Sequence, residues 1–179
     1  MNAALTSADL LALSPLLILL WTALIVLMVE AFSSEKTRGY PFYITLIGFV
    51  FSLGGVLYAP VSQSNLLTPW IAFDSLSLFF SLLFIAIGIA CTLLTASFFR
   101  RFKATEGEYY FLLLAAVFGL ILIGVAADFL TLFLGLETLS IALYVLCCYM
   151  KKWEFSSEAA ISIFLQAHCP LLFCSMGLL

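Results

Sequence analysis

Charge is what this sequence has least of. Only 9% of its 179 residues are Asp, Glu, Lys or Arg, and it holds a single histidine, His168. Soluble domains run at about 25% charged and about 45–50% apolar residues, whereas this chain is 65% hydrophobic with a mean hydropathy of +1.22. A water-soluble domain of roughly 150 residues buries only about 70% of the surface its unfolded chain exposes, too little to hide so much apolar area. The solvent must be lipid. No basic tract follows the pattern that tracks a nucleic-acid backbone, which excludes nucleic acid as a partner. The five cysteines (Cys91, Cys147, Cys148, Cys169 and Cys174) form no C-x-x-C and all lie in apolar runs. They suggest neither a disulfide framework nor a metal knuckle, and read as small buried hydrophobes. One imidazole cannot supply a bis-histidine haem, and no glycine-rich nucleotide fingerprint is present. The expectation is a chain with no cofactor of its own.

What is there is a series of six long apolar runs, about 10–32, 41–58, 75–99, 109–127, 129–150 and 157–179. In hydrocarbon every backbone polar group must be satisfied internally, so a span is a helix or part of a closed barrel, and continuous runs exclude the alternation of a barrel strand. The expected fold is all-α: a single polytopic transmembrane bundle of about six helices, residues 1–179. The first run follows no basic residue and exceeds the apolar core of a signal peptide, so it reads as helix one. Helices four and five are joined only at Ala127-Asp128, which predicts a tight antiparallel hairpin.

All seven basic residues fall in alternate connections: Lys36 and Arg38; Arg100, Arg101 and Lys103; Lys151 and Lys152. By the positive-inside rule, loops 33–40, 100–108 and 151–156 are cytoplasmic and the N-terminus lies outside. Tyr40, Phe42, Tyr43, Tyr58, Trp70, Tyr109, Tyr110, Tyr149 and Trp153 gather at the expected interfaces and read as anchors. Asp74, with Ser75, reads as opening helix three, and Asp128, in the junction before helix five, reads as structural. Glu30, at the cytoplasmic end of helix one, reads as a carboxylate that reaches headgroups.

Glu137 is different. It stands eight residues inside helix five, about 12 Å of helical rise, near mid-membrane. A centrally placed charged residue costs roughly 2.5–3.5 kcal/mol on insertion scales, so an acid at this depth should face the bundle interior, a cation or water. Spacings of three and four put Glu137, Ser140, Tyr144 and Cys148 on one face, a stripe fit for a hydrogen-bonded proton path. The competing reading is a protonated, hydrogen-bonded structural acid.

The run from Ala127 through Gly135-Leu136-Glu137-Thr138 to Ser140, with Leu143-Tyr144-Val145-Leu146, Ser156-Ser157-Glu158-Ala159-Ala160 and, upstream, Phe73-Asp74-Ser75-Leu76-Ser77, resembles the antiporter-like family of membrane subunits. That family is shared by the bacterial proton-pumping NADH:quinone oxidoreductase (complex I), whose subunit N is most similar, and by multi-subunit sodium/proton antiporters. The resemblance implies a bacterial inner-membrane subunit of that enzyme, translocating protons while electron transfer proceeds in other subunits. NADH and quinone would be met only through partner subunits, and the other membrane-arm subunits and the bilayer would be its direct partners. Glu137 matches the family's proton-loading glutamate, which pairs with a lysine two helices later. With Ser140 and Tyr144 as a polar path, it completes the expected site. The family fold has about fourteen helices in two inverted repeats, so the resemblance covers the N-terminal part only, and the isolated chain is expected to be inactive. The alternatives are an inert truncated fragment or a sodium/proton antiporter subunit. After about Ile163 the resemblance is expected to fail, through a reading-frame shift: loss of one T after the Ser162 codon would give the Ile163-Phe164-Leu165-Gln166-Ala167 that stands here.

Overall fold

The computed structural model describes residues 7–32, 39–58, 69–102 and 107–149. They form five helices, α1 (Ser7–Phe32), α2 (Tyr40–Tyr58), α3 (Ser75–Phe102), α4 (Gly107–Val125) and α5 (Phe129–Cys148). Each contains an apolar window long enough to cross a bilayer. The chain is a polytopic helical membrane protein. The expected sixth helix, 157–179, lies outside the described residues, as do loop 151–156, Trp153, His168, Cys169 and Cys174.

Some helix ends lie beyond the apolar runs, because hydropathy finds the stretch that sits in lipid and the helix can outlast it. Thus α1 begins at Ser7 rather than at 10, and α3 continues to Phe102 rather than ending at 99. The backbone of Arg100 and Arg101 is therefore helical and not loop, at the end of a helix where the macrodipole favours cations. Conversely, α4 covers 107–125 instead of 109–127, and α5 ends at Cys148 instead of 150.

α4 is the centre. A single apolar core gathers Leu16, Leu19, Ala23 and Val26 of α1, Phe49 and Val56 of α2, Ile85 of α3, and Tyr110, Leu114, Val117, Ile121 and Val125 of α4. Lipid tails are as apolar as leucine, so close backbone approach and shape, not hydrophobicity, hold such helices together. At the α1–α2 interface a Cβ on Gly48 would collide with the Thr22 side chain. One and two turns on, Ser52 Oγ donates to the Pro15 carbonyl at 3.2 Å and Gly55 lies against Ser14. Pro15 has no N–H for the Leu11 carbonyl four residues earlier, and Ser14 Oγ donates to that carbonyl instead, at 2.7 Å. The other buried hydroxyls mostly donate within their own helix: Thr22 to Ile18 O at 2.6 Å, Thr45 to Pro41 O at 2.8 Å, Ser81 to Ser77 O at 2.8 Å, Thr92 to Gly88 O at 2.7 Å. A polar atom in the span is thereby satisfied at no cost to the apolar surface.

Tyr110 corrects the sequence reading. It is fully buried, with its ring centroid 6.1 Å from Phe42 and 5.9 Å from Tyr109. It opens the central helix, where α1 and α2 close over it, and so serves the core and not the interface. Tyr40, Tyr43, Tyr58 and Trp70 are exposed, consistent with interfacial anchors.

At the opposite end residues 70–72, just ahead of α3, lie against the α4–α5 turn. Ala72 N donates to Val125 O at 2.8 Å and Ala127 N to Trp70 O at 3.1 Å, an antiparallel bridge between Ile71 and Ala126. The bridge gives partners to a turn whose backbone groups would otherwise meet lipid headgroups unpaired. α5 then runs back along α4, its principal neighbour.

Candidate functional site

α5 starts from Asp128, whose extended backbone (φ −123°) and side chain, accepting from Leu130 N at 3.3 Å, make it the N-cap. Asp74 acts differently. Its carbonyl accepts from Leu78 N at 3.0 Å and Ser77 Oγ at 2.8 Å at the start of α3. Both acids serve helix starts, Asp74 as its sequence position suggests and Asp128 as the structure shows.

From Asp128 the helix runs without a break past Glu137, so the intervals of three and four hold in space and Glu137, Ser140 and Tyr144 share one face. Glu137 and Ser140 are half-buried; Tyr144 is buried, including its hydroxyl. The neighbouring Thr138 does not join the stripe: its Oγ1 donates to Leu134 O at 2.8 Å. Cys148 is half-buried and ends the helix. Cys147 is exposed, against the expectation of a buried hydrophobe, because it stands about 100° round the helix from Cys148.

What fixes the site is a backbone contact that the sequence reading did not single out. Gly119 of α4 and Gly135 of α5 face each other, so that a Cβ on Gly119 would lie 2.9 Å from Leu139 N and 3.0 Å from Gly135 O. Glu137 sits in the turn between Gly135 and Leu139. Small residues at mid-span signal close helix packing, and both glycines carry that signal, but nothing in one sequence says which helix each faces.

Glu30 is also not where the sequence put it. Rather than reaching headgroups, its side chain packs on the first residue of α4, where a Cβ on Gly107 would collide with the Glu30 carboxylate. A helix N-terminus carries partial positive charge and unpaired N–H groups, which favours a carboxylate there. Nearby, Thr95 Oγ1 donates to Tyr109 Oη at 3.1 Å, and the Tyr109 and Tyr149 rings meet edge to face at 5.7 Å, tying α3, α4 and α5 together at this end. Among the described residues, no three His, Cys, Asp or Glu gather where they could hold a metal ion.

Curated relatives match the sequence over most of the chain. NADH-quinone oxidoreductase subunit N of Protochlamydia amoebophila is 52% identical over 170 residues, 93% of this chain and 35% of the relative. Over this partial length, the chain belongs to the subunit N family of NADH-quinone oxidoreductases. Subunit N of Trichlorobacter lovleyi is 30% identical over 155 residues (84% of this chain, 31% of the relative). The chloroplastic NAD(P)H-quinone oxidoreductase subunit 2 of Chlorokybus atmophyticus is 33% identical over 161 (89% and 32%). The chain thus spans about a third of the length of these subunit N relatives. A family model for the transmembrane part of NADH:quinone oxidoreductases and Mrp antiporters matches residues 126–179, beginning at the α4–α5 turn and including Glu137. That match continues past Ile163, so the expected loss of resemblance beyond that residue is not seen in the family model.

Proposed function

We propose that this chain contributes the proton-loading acid of a membrane-arm subunit of an NADH:quinone oxidoreductase, and that Glu137 is that acid. One observation carries the reading: a carboxylate half-buried near the middle of an otherwise apolar spanning helix, on the same face as Ser140 and the buried hydroxyl of Tyr144. Such a group is costly to insert, and it exchanges a proton with whatever polar groups reach it. The names of the subunit N relatives support the enzyme over a sodium/proton antiporter and over an inert fragment.

In this reading the chain touches neither NADH nor quinone. Redox centres and the quinone site belong to partner subunits, and electron transfer there changes the electrostatic surroundings of Glu137. An opposite charge within about 4–6 Å holds a carboxylate ionised, and its withdrawal lets the proton bind. All seven basic residues of this sequence lie outside the apolar windows of the five described helices, so in this reading the cation comes from beyond those windows, as the lysine two helices later does in the family. The subunit sits in the bacterial inner membrane with its N-terminus outside and the α1–α2 and α3–α4 connections cytoplasmic, in keeping with their lysines and arginines.

Glu137→Gln tests the role. In the assembled complex, proton translocation should be lost, or fall by roughly two orders of magnitude, the scale of losing a positioned acid–base group. Subunit assembly should remain intact. Unchanged proton translocation with normal electron transfer would show that Glu137 is only structural.

A further inference from the structure

Gly119 and Gly135 approach each other reciprocally. A Cβ on Gly119 would meet Leu139 N at 2.9 Å, Gly135 O at 3.0 Å and Leu139 Cα at 3.2 Å; one on Gly135 would meet Ile123 Cγ1 at 2.8 Å, Ile123 N at 3.0 Å and Gly119 O at 3.1 Å. Nearly all of these atoms are backbone. A flexible side chain swings aside, but a backbone can yield only if the whole helix moves. Each glycine Cα faces the other's carbonyl, the arrangement in which Cα–H groups contact oxygens across a helix interface.

This contact sets the rotation of α5. At 3.6 residues per turn, Leu139 lies about 40° round the helix from Gly135, whereas Glu137, Ser140 and Tyr144 lie about 200°, 140° and 180° round. Seating Gly135 and Leu139 on α4 therefore turns the whole polar stripe away from α4. The lever is short, since Glu137 is two residues from each contact point.

We propose that Gly119 is a positioning residue for Glu137: the glycine contact between α4 and α5 holds the carboxylate at the orientation, and hence the surroundings, that set its proton affinity. The inference rests on Glu137 being the proton-loading acid for its importance, and not for its test. A Gly119→Ala variant wedges α5 away or rotates it, changing both the desolvation of Glu137 and its neighbours, the two influences that move a carboxylate's affinity for a proton.

The experiment uses the 179-residue chain in membrane vesicles and an apolar carbodiimide, which adds to protonated carboxyl groups. Modification of Glu137 is followed by mass spectrometry across pH. Gly119→Ala and Gly135→Ala should each move the midpoint of labelling by about half a pH unit or more, roughly a threefold change in the protonated fraction above the midpoint. Gly124→Ala is the control. It makes the same change in the same helix, but its Cβ meets only Phe80 at 3.3 Å and Phe84 at 3.4 Å and leaves α5 untouched, so its profile should match the parent. Ile123→Ala empties the contact instead of overfilling it and keeps the membrane-spanning pattern, so it supplies a reading even if a glycine variant fails to accumulate. The proposal is overturned if Ile123→Ala and every glycine variant that inserts label as the parent does, or if Gly124→Ala shifts the midpoint equally. Loss of the labelling shift with Glu137→Gln still abolishing translocation in the complex would remove the positioning role alone. The converse would remove the proton-loading role and leave the geometry standing.

Discussion

α4 and α5 are nearly the same helix by composition and nothing alike by position. They span 19 and 20 residues, have almost equal hydropathy and are joined by three residues, yet 44% of the apolar window of α4 is buried inside the protein against 22% of that of α5. α4 places five residues in the core, while α5 adds none to that cluster among the described residues. Because leucine is as comfortable against a lipid tail as against another leucine, hydropathy decides that a helix enters the membrane and not which helices surround it. The one acid of the pair near mid-membrane stands on the less enclosed helix.

That contrast is open to direct attack. Leu114→Ala, in the fully buried centre of α4, should lower stability by about 3 kcal/mol through loss of packing around a cavity; unfolding in mixed detergent and lipid measures it. Asp128→Ala removes the N-cap on which α5 starts and should cost about 1 kcal/mol in the same assay, with the loss confined to α5 in hydrogen exchange. Ser52→Ala, which deletes the hydrogen bond to the Pro15 carbonyl, should cost only about 0.6 kcal/mol, the mean for such bonds between membrane helices. Least of all, Leu134→Ala on the exposed side of α5 should change stability by less than about 0.5 kcal/mol. A Leu134→Ala cost equal to that of Leu114→Ala would mean that α5 is as enclosed within this chain as α4, and the comparison would fail.

The elements that were legible in the sequence were those that depend on local chemistry. Five apolar runs gave five helices, the Ala127-Asp128 break gave the hairpin, and an acid alone in the middle of Phe129–Cys148 drew attention to Glu137. What escaped depended on which partner a residue meets. Tyr110 sits at the start of a span, and a tyrosine ring with a polar tip suits headgroups as well as it suits a core. Glu30 occupies a span end where water and a helix N-terminus are equally good partners for a carboxylate. Gly119 and Gly135 are small residues whose meaning lies in each other, and lipid-facing and protein-facing sides are too alike in hydropathy to betray rotation.

The Ile71–Ala126 bridge carries a consequence for the order in which the protein is built. Chains emerge from the ribosome N-terminus first, so the α1–α2 pair can close as soon as Tyr58 is made, but Trp70 and Ala72 wait for partners that come more than fifty residues later. Until Val125 and Ala127 have crossed, that short segment has backbone donors and acceptors paired only with water. The α4–α5 hairpin then completes two structures at once, its own turn and the tether of α3, so one insertion step locks the ends of α3, α4 and α5 together.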